Sequence, residues 1–326
     1  MNKPACRNLL VTLITGLAVL ALLSCQRGNS PSASKPTVGL VLKTLNNPFF
    51  IEMQKGAEKA AQKFGARLLV QAAERELDVE KQMQIIENLI QSNVSALCVT
   101  PSGSKEIVPA IVKANRAAIP VLIVDTRVDS QTLQEAGGKV SAFIGSDNFE
   151  GGRLAGEYLA RRLGEKGKVS ILEGIPGHET GDSRLKGFRH ALANYPEVQI
   201  VSSQTANWER DQGYNVFQNI LQSHADVQAL FACSDLMALG AIEAIAAAGK
   251  TGKITVVGFD ALPEAREAVQ KGMMEATIAQ SPMEMGAIAV ESACRLLKHE
   301  AIAQNVSVNI QLVTRENASS GSVPIH

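Results

Sequence analysis

The 326-residue chain carries 32 lysines and arginines against 32 aspartates and glutamates. A net charge of zero with no basic stripe argues against a nucleic-acid partner. Its apolar fraction of 45% is that of an ordinary soluble globular protein, and the roughly 290 residues beyond the first 36 are enough for one or two domains.

In chain order, the first element is a leader. Lys3 and Arg7 precede an apolar run from Leu9 to Leu23. That run is short for a bilayer span of ~20 residues and has the form of a secretory signal. It ends in Leu22-Leu23-Ser24-Cys25, and a cysteine placed there resembles a bacterial lipoprotein signal. We therefore expect residues 1–24 to be removed and Cys25 to be lipidated; the alternative is an ordinary signal with a chance cysteine. Residues 25–36 are rich in Ser, Pro and Gly and read as a flexible tether. The rest is expected to work outside the cytoplasm, periplasmic or outer-face, held to a membrane by acyl chains.

From Thr37 on, strand and helix patterns alternate. Thr37 to Leu42 is a β-branched apolar run. Asn46-Asn47-Pro48 then opens a helix with a cap and a first-turn proline. Phe50, Met53, Ala57, Ala60 and Phe64 form its apolar stripe, and Gly65 stops it. Strands follow at 67–71, 94–99, 119–124 and 140–144, with helices marked by Val79–Ile90 and Ile107–Ala114. The second half continues with helix 148–163, strand 168–172, helix 183–193, strand 198–203 and helix 210–222. Strand 227–232, helix 236–248, strand 254–257, helix 263–271, strand 275–278 and helix 283–298 complete it. This alternation predicts βαβ units and parallel sheets. Their number fits two similar α/β lobes divided near residues 144–147. Cys98, Cys233 and Cys294 are expected as buried free thiols.

In such sheets ligands bind outside the carboxyl ends of the strands. The residues there are Asn46, Asn47, Phe49 and Phe50, then Thr100 to Ser102, then Asp125-Thr126-Arg127. The second half adds His178 and Glu179, Arg184, Asn207 and Trp208, Ser234 and Asp235, Asp260 and Gln280. Taken singly, each has a plainer reading. Asn46, Asn47 and Asp235 suit helix caps, Arg184 a surface ion pair, and Trp208 or one of the two phenylalanines the core. Together they combine forked donors and acceptors with flat apolar rings, the combination a sugar requires. No phosphate-loop, dinucleotide, zinc-protease or serine-elbow motif is present, and no residue set is expected to hold a metal or cofactor.

Thr44-Leu45-Asn46-Asn47-Pro48-Phe49-Phe50 resembles the opening motif of the type I periplasmic sugar-binding family, as seen in its ribose-binding members. Ser146-Asp147-Asn148, Met237 to Ala241, Val257-Gly258-Phe259-Asp260 and Ala276 to Gln280 resemble its later motifs. The likeness runs from about Thr37 to Val313. It implies an α/β fold of two Rossmann-like lobes with parallel sheets joined by a three-segment hinge. The implied division is residues 37–144 plus 281–309 for the N-terminal lobe, 145–280 plus 310–317 for the C-terminal lobe, and 318–326 as a tail. Carried across, the ligand positions are Asn47, Phe49, Phe50, Asp125, Arg184, Trp208, Asp260 and Gln280. Trp208 stands where ribose-binding members have Phe, Thr100 and Ser234 where they have Asn, and Thr126 where they have Arg. Arg127 is the expected substitute if the loop shifts. The resemblance thus implies a monosaccharide, whether ribose, another pentose, a hexose or a polyol. It further implies a monomeric receptor of an ABC-type importer, with a permease as partner and no chemistry on the sugar. The alternative is a sensor presenting the sugar to a chemoreceptor or histidine kinase.

Overall fold

A computed structural model describes residues 35–319. The expected signal peptide, Cys25, most of the tether and the last residues of the tail lie outside these. In the first lobe come β1 (Thr37–Thr44), α1 (Pro48–Phe64), β2 (Arg67–Ala73), α2 (Val79–Gln91), β3 (Ala96–Val99), α3 (Val108–Arg116), β4 (Val121–Val124), α4 (Ser130–Glu135) and β5 (Ala142–Ser146). In the second come α5 (Asn148–Arg162), β6 (Lys166–Glu173), α6 (Glu179–Leu192), β7 (Glu197–Thr205), α7 (Arg210–Ser223), β8 (Ala229–Ala232), α8 (Asp235–Ala247), β9 (Thr255–Asp260), α9 (Pro263–Lys271) and β10 (Ala276–Ala279). Then α10 (Pro282–Leu297) and β11 (Asn305–Val308) return to the first lobe, and β12 (Gln311–Thr314) to the second.

Two six-stranded sheets result, ordered β11-β5-β4-β3-β1-β2 and β12-β10-β9-β8-β6-β7. All pairings are parallel except β10 with β12. The chain is a two-lobed α/β protein that crosses between sheets three times: after β5, after β10, and between β11 and β12. The central strands are buried end to end, as continuous Val/Ile/Leu/Ala runs must be when helices cover both faces of a parallel sheet. Among the described residues no helix is long and apolar enough to cross a membrane. Cys98, Cys233 and Cys294 are buried free thiols.

Neighbouring helices meet through reciprocal glycines. A Cβ on Gly56 of α1 would lie 1.8 Å from the Met283 carbonyl oxygen, and one on Gly286 of α10 would lie 2.0 Å from that of Met53. Gly152 of α5 and Gly187 of α6 stand in the same relation to the Arg184 and Phe149 carbonyls, at 2.0 and 1.9 Å. Bare backbones can therefore touch, which fixes the height of each helix against its partner. For α6 that height decides where Arg184 points.

Four elements differ from the sequence reading. Helix α6 begins at Glu179 rather than near Ser183, because Thr180 and Gly181 continue the helix inward. Helix α4 is a single short turn-and-a-half with no buried residue, so it leaves no apolar period. Strands β11 and β12 are four residues each, with mostly half-exposed side chains, below what alternation can signal.

Candidate functional site

The carboxyl ends of both sheets face one another across a narrow cavity of about 30 Å³. From the first lobe, Asn47 caps α1, accepting from the Phe49 N–H at 3.0 Å. Its amide nitrogen also donates to Glu76 Oε1 at 3.2 Å. Lys43, the penultimate residue of β1, is buried between two carboxylates, with its Nζ 3.6 Å from Glu76 Oε2 and 3.7 Å from Asp125 Oδ2. Burial pushes the Glu76 carboxyl up, and Lys43 and Asn47 pull against it. Asp125 leaves β4 in the left-handed region, φ 64°, held by its N–H to the Ile144 carbonyl at 2.8 Å. Phe49 and Phe50 pack edge to face at 5.3 Å, and both line the cavity.

From the second lobe, Arg184 is 4% exposed. Its Nε donates to Asn148 Oδ1 at 2.8 Å and its Nη1 to the Cys233 carbonyl at 2.7 Å. The guanidinium lies over the Phe259 ring at 3.8 Å, and Nη1 is 3.5 Å from Asp260 Oδ1. Gln280 Nε2 donates to the same Asp260 oxygen at 2.7 Å. Burial raises the Asp260 carboxyl to about 7 despite the guanidinium. Trp208 sits in a notch floored by Gly174, where a Cβ would come within 1.9 Å of its ring. Asp260 (φ 113°) and Trp208 (φ 67°) join Asp125 in positive-φ backbone. Such strain in non-glycine residues persists only where surrounding structure enforces it, and it collects at ligand sites. Trp208 Nε1 and Gln280 Oε1 are buried without a hydrogen-bond partner, leaving one donor and one acceptor unsatisfied at the cavity.

Of the residues singled out in the sequence, Asn47, Phe49, Phe50, Asp125, Arg184, Trp208, Ser234, Asp260 and Gln280 all line this cavity. Thr100, Thr126 and Arg127 do not. The Thr100 hydroxyl turns to Met53 Sδ, and that of Thr126 donates to Asp125 Oδ2 at 2.9 Å. Arg127 cannot replace an arginine at position 126. Its guanidinium stacks on Phe143 at 3.6 Å and donates to Asn305 at 3.2 Å, on a separate groove. Asp235 is not a cap; Ser234 is. The Asp235 carboxylate is fully buried, accepting from the Leu262 N–H and the Thr277 hydroxyl, and ties α8 to the ends of β9 and β10.

Lys43, Glu76 and Thr180 also line the cavity, outside the sequence expectation. The apolar run of the first strand stops at Leu42, one residue short of Lys43. Glu76 lies in the loop after β2, the same position relative to its strand as the other candidates. Thr180 lies in the first turn of α6, ahead of the pattern that marks the helix in the sequence. The assembled wall sets two cations and three carboxyls beside three aromatic rings, a chemistry suited to a small polyhydroxylated molecule. Among the described residues, no group of three His, Cys, Asp or Glu side chains is arranged to hold a metal ion.

The comparisons agree with this geometry. A family model described as a periplasmic binding protein domain matches residues 38–301. The ribose import binding protein of Escherichia coli (strain K12) is 38% identical over 307 residues, 94% of this chain and 98% of that protein. The D-allose-binding periplasmic protein of the same organism is 37% identical, over 76% of this chain and 80% of its own length. A solved ABC-transporter solute-binding protein from Actinobacillus succinogenes 130z, with bound D-allose, superposes with a TM-score of 0.82 at 40% identity, covering 88% of this chain and 100% of that one. The chain belongs to the type I periplasmic sugar-binding protein family.

Proposed function

We propose that this protein is the lipid-anchored, extracytoplasmic receptor of an ABC-type importer, and that it closes on one ribose- or allose-like monosaccharide. The observation that carries the reading is the cavity between the two sheets. There Phe49, Phe50 and Trp208 offer apolar faces to a sugar ring. Asp125, Arg184, Asp260 and Asn47 present forked groups to its hydroxyls, and Trp208 Nε1 and Gln280 Oε1 await partners. Lys43 and Glu76 extend the polar wall beyond what the ribose-like motifs imply, and supply a further donor and acceptor for a larger hexose. The three chain crossings act as the hinge. The sugar bridges the lobes and stabilises the closed form by contacts made only there. The closed monomer then docks on a permease and releases the sugar unchanged.

A thermal-shift panel of pentoses, hexoses and polyols on residues 30–326 tests this. A ligand that binds only the folded state adds about 2.7 kcal/mol of stability at a hundredfold excess over Kd. We expect a clear rise with D-ribose or D-allose, lost in Asp125→Ala; no rise with any sugar, in protein freed of carried-over ligand, contradicts the reading. The anchor is tested by metabolic labelling with a radioactive fatty acid. Label is expected in the intact protein and not in Cys25→Ala, which should leave the membrane fraction.

A further inference from the structure

We propose that His178 is a positioning residue that ties lobe closure to loss of a proton, so that sugar affinity falls as the medium turns acidic. This rests on the hinge closure proposed above. His178 ends the loop between β6 and α6 in the second lobe, yet it is only 5% exposed. Two groups of the first lobe act on the ring: the Lys43 charge opposes a proton on it, and the Ser102 main chain favours one. The next residue makes a direct bond across the cleft, the Glu179 N–H donating to Ser104 Oγ at 3.3 Å. The receiving loop is braced. The Ser102 N–H donates to the buried Gln82 Oε1 at 2.8 Å, and the Ser104 carbonyl accepts from the Asp129 N–H at 2.8 Å. Imidazole Nδ1 is buried with no hydrogen-bond partner. The ring is thus buried beside a hydrogen bond that spans the lobes, and on this proposal separating the lobes returns it to water.

The charges around it do not favour a proton. From β1, the Lys43 charge repels imidazolium. Lys105 and Glu106 of the receiving loop are exposed to solvent. On its own helix, Glu179 Oε1 accepts from Ser183, and burial raises the Asp182 carboxyl. Burial first, and Lys43 second, lower the imidazole to about 3, against the Ser102 contact. A histidine in water titrates near 6.5. Above about pH 7 the ring is neutral in both forms and closure moves no proton. Below it the open form binds a proton that closure must expel, so affinity drops by about tenfold between pH 8 and pH 5.5. The buried carboxyls of Glu76, Asp235 and Asp260 are raised and act in the opposite sense. The contribution of His178 is therefore the difference between the protein and its His178→Asn variant.

Titration calorimetry with D-allose and D-ribose as probes, at pH 8 and pH 5.5, reads that difference. The affinity ratio between the two pH values is expected to be about tenfold larger in the unaltered protein than in His178→Asn. Near pH 5.5 the unaltered protein should also release close to one more proton per sugar bound, counted across buffers of different ionisation enthalpy. Equal ratios and equal proton counts overturn the proposal. Proton NMR of the His178 ring in sugar-saturated protein gives a second readout: no titration down to about pH 4 supports the latch, and a midpoint near the ordinary value overturns it. In sugar-free protein, which is open, the same ring is expected to titrate near its ordinary value; a ring that stays neutral down to about pH 4 without sugar overturns the latch, and failure of both sugars to bind overturns the sugar reading instead.

Discussion

Arg184→Ala is expected to weaken sugar binding by a hundredfold or more and to destabilise the fold as well. The side chain is almost wholly buried and does three jobs in the second lobe. It donates to Asn148 and to the Cys233 carbonyl, it covers the Phe259 ring, and it offsets the charge of Asp260. Removing it leaves Asp260 buried beside Gln280 with no cation and opens a void over Phe259. Breaking one member of a buried ion pair typically costs about 3–5 kcal/mol. The Asp260 carboxyl escapes part of that by taking a proton, since burial already raises it to about 7, and a protonated Asp260 no longer presents a fork of acceptors. Arg184→Lys keeps the charge but cannot hold two directions of hydrogen bonding at once. It should recover stability more than affinity. Calorimetric titration beside thermal denaturation checks both, and an Arg184→Ala protein that binds sugar within a few-fold of the original would contradict the assignment.

The second large effect lies away from the cavity wall. In Gly152→Ala the new methyl would sit 2.0 Å from the Arg184 carbonyl oxygen. No side-chain rotation relieves a contact with backbone, so α5 and α6 must move apart. Overpacking costs about 1–3 kcal/mol where side chains can yield, and a backbone clash of this kind belongs at the top of that range or above it. Because α6 carries Arg184 and Thr180, the shift also misplaces them, and affinity should fall together with melting temperature. Gly137→Ala serves as the control. Its φ of 67° is strained for alanine, but no atom lies within 4 Å, so it should lower stability modestly and leave affinity alone. Equal affinity in Gly152→Ala and the original protein would show that α6 is not set by this contact.

Most of this architecture is legible in the residues because each strand–helix unit announces itself. Asn47-Pro48 and Gly65 bracket α1 by capping chemistry, and the inner strands are apolar runs between polar loops. The cavity was legible to the extent that its residues follow strands directly. Asp125 and Gln280 do so, Asp260 is the last residue of its strand and Ser234 lies two residues past its own, and all four line the cleft. Three kinds of fact were not legible. Asp235 has the pattern of a cap, and only the packing of α8 against the β9 and β10 ends converts it into a buried tie. Arg127 is one residue from where an arginine was wanted. The tight turn that puts Asp125 in left-handed backbone, with the Thr126 N–H on the Val124 carbonyl at 2.7 Å, carries it to the outer groove instead. Lys43 is the penultimate residue of a strand whose inner residues are core, and a charge there is meaningful only once Glu76 and Asp125 converge on it. Local chemistry specifies where a loop begins. Convergence of loops from separate strands is a tertiary fact.

The measurement closest to the central claim is a crystal structure of the protein grown with whichever of D-ribose or D-allose gives the larger rise in melting temperature. The account predicts one sugar ring enclosed between the lobes. Phe50 and Trp208 would lie against its faces, with Asp125, Arg184 and Asp260 within hydrogen-bond distance of its hydroxyls, and Trp208 Nε1 or Gln280 Oε1 newly partnered. A sugar bound elsewhere, or a cavity that stays empty at saturating sugar while the lobes remain as they are here, would contradict it.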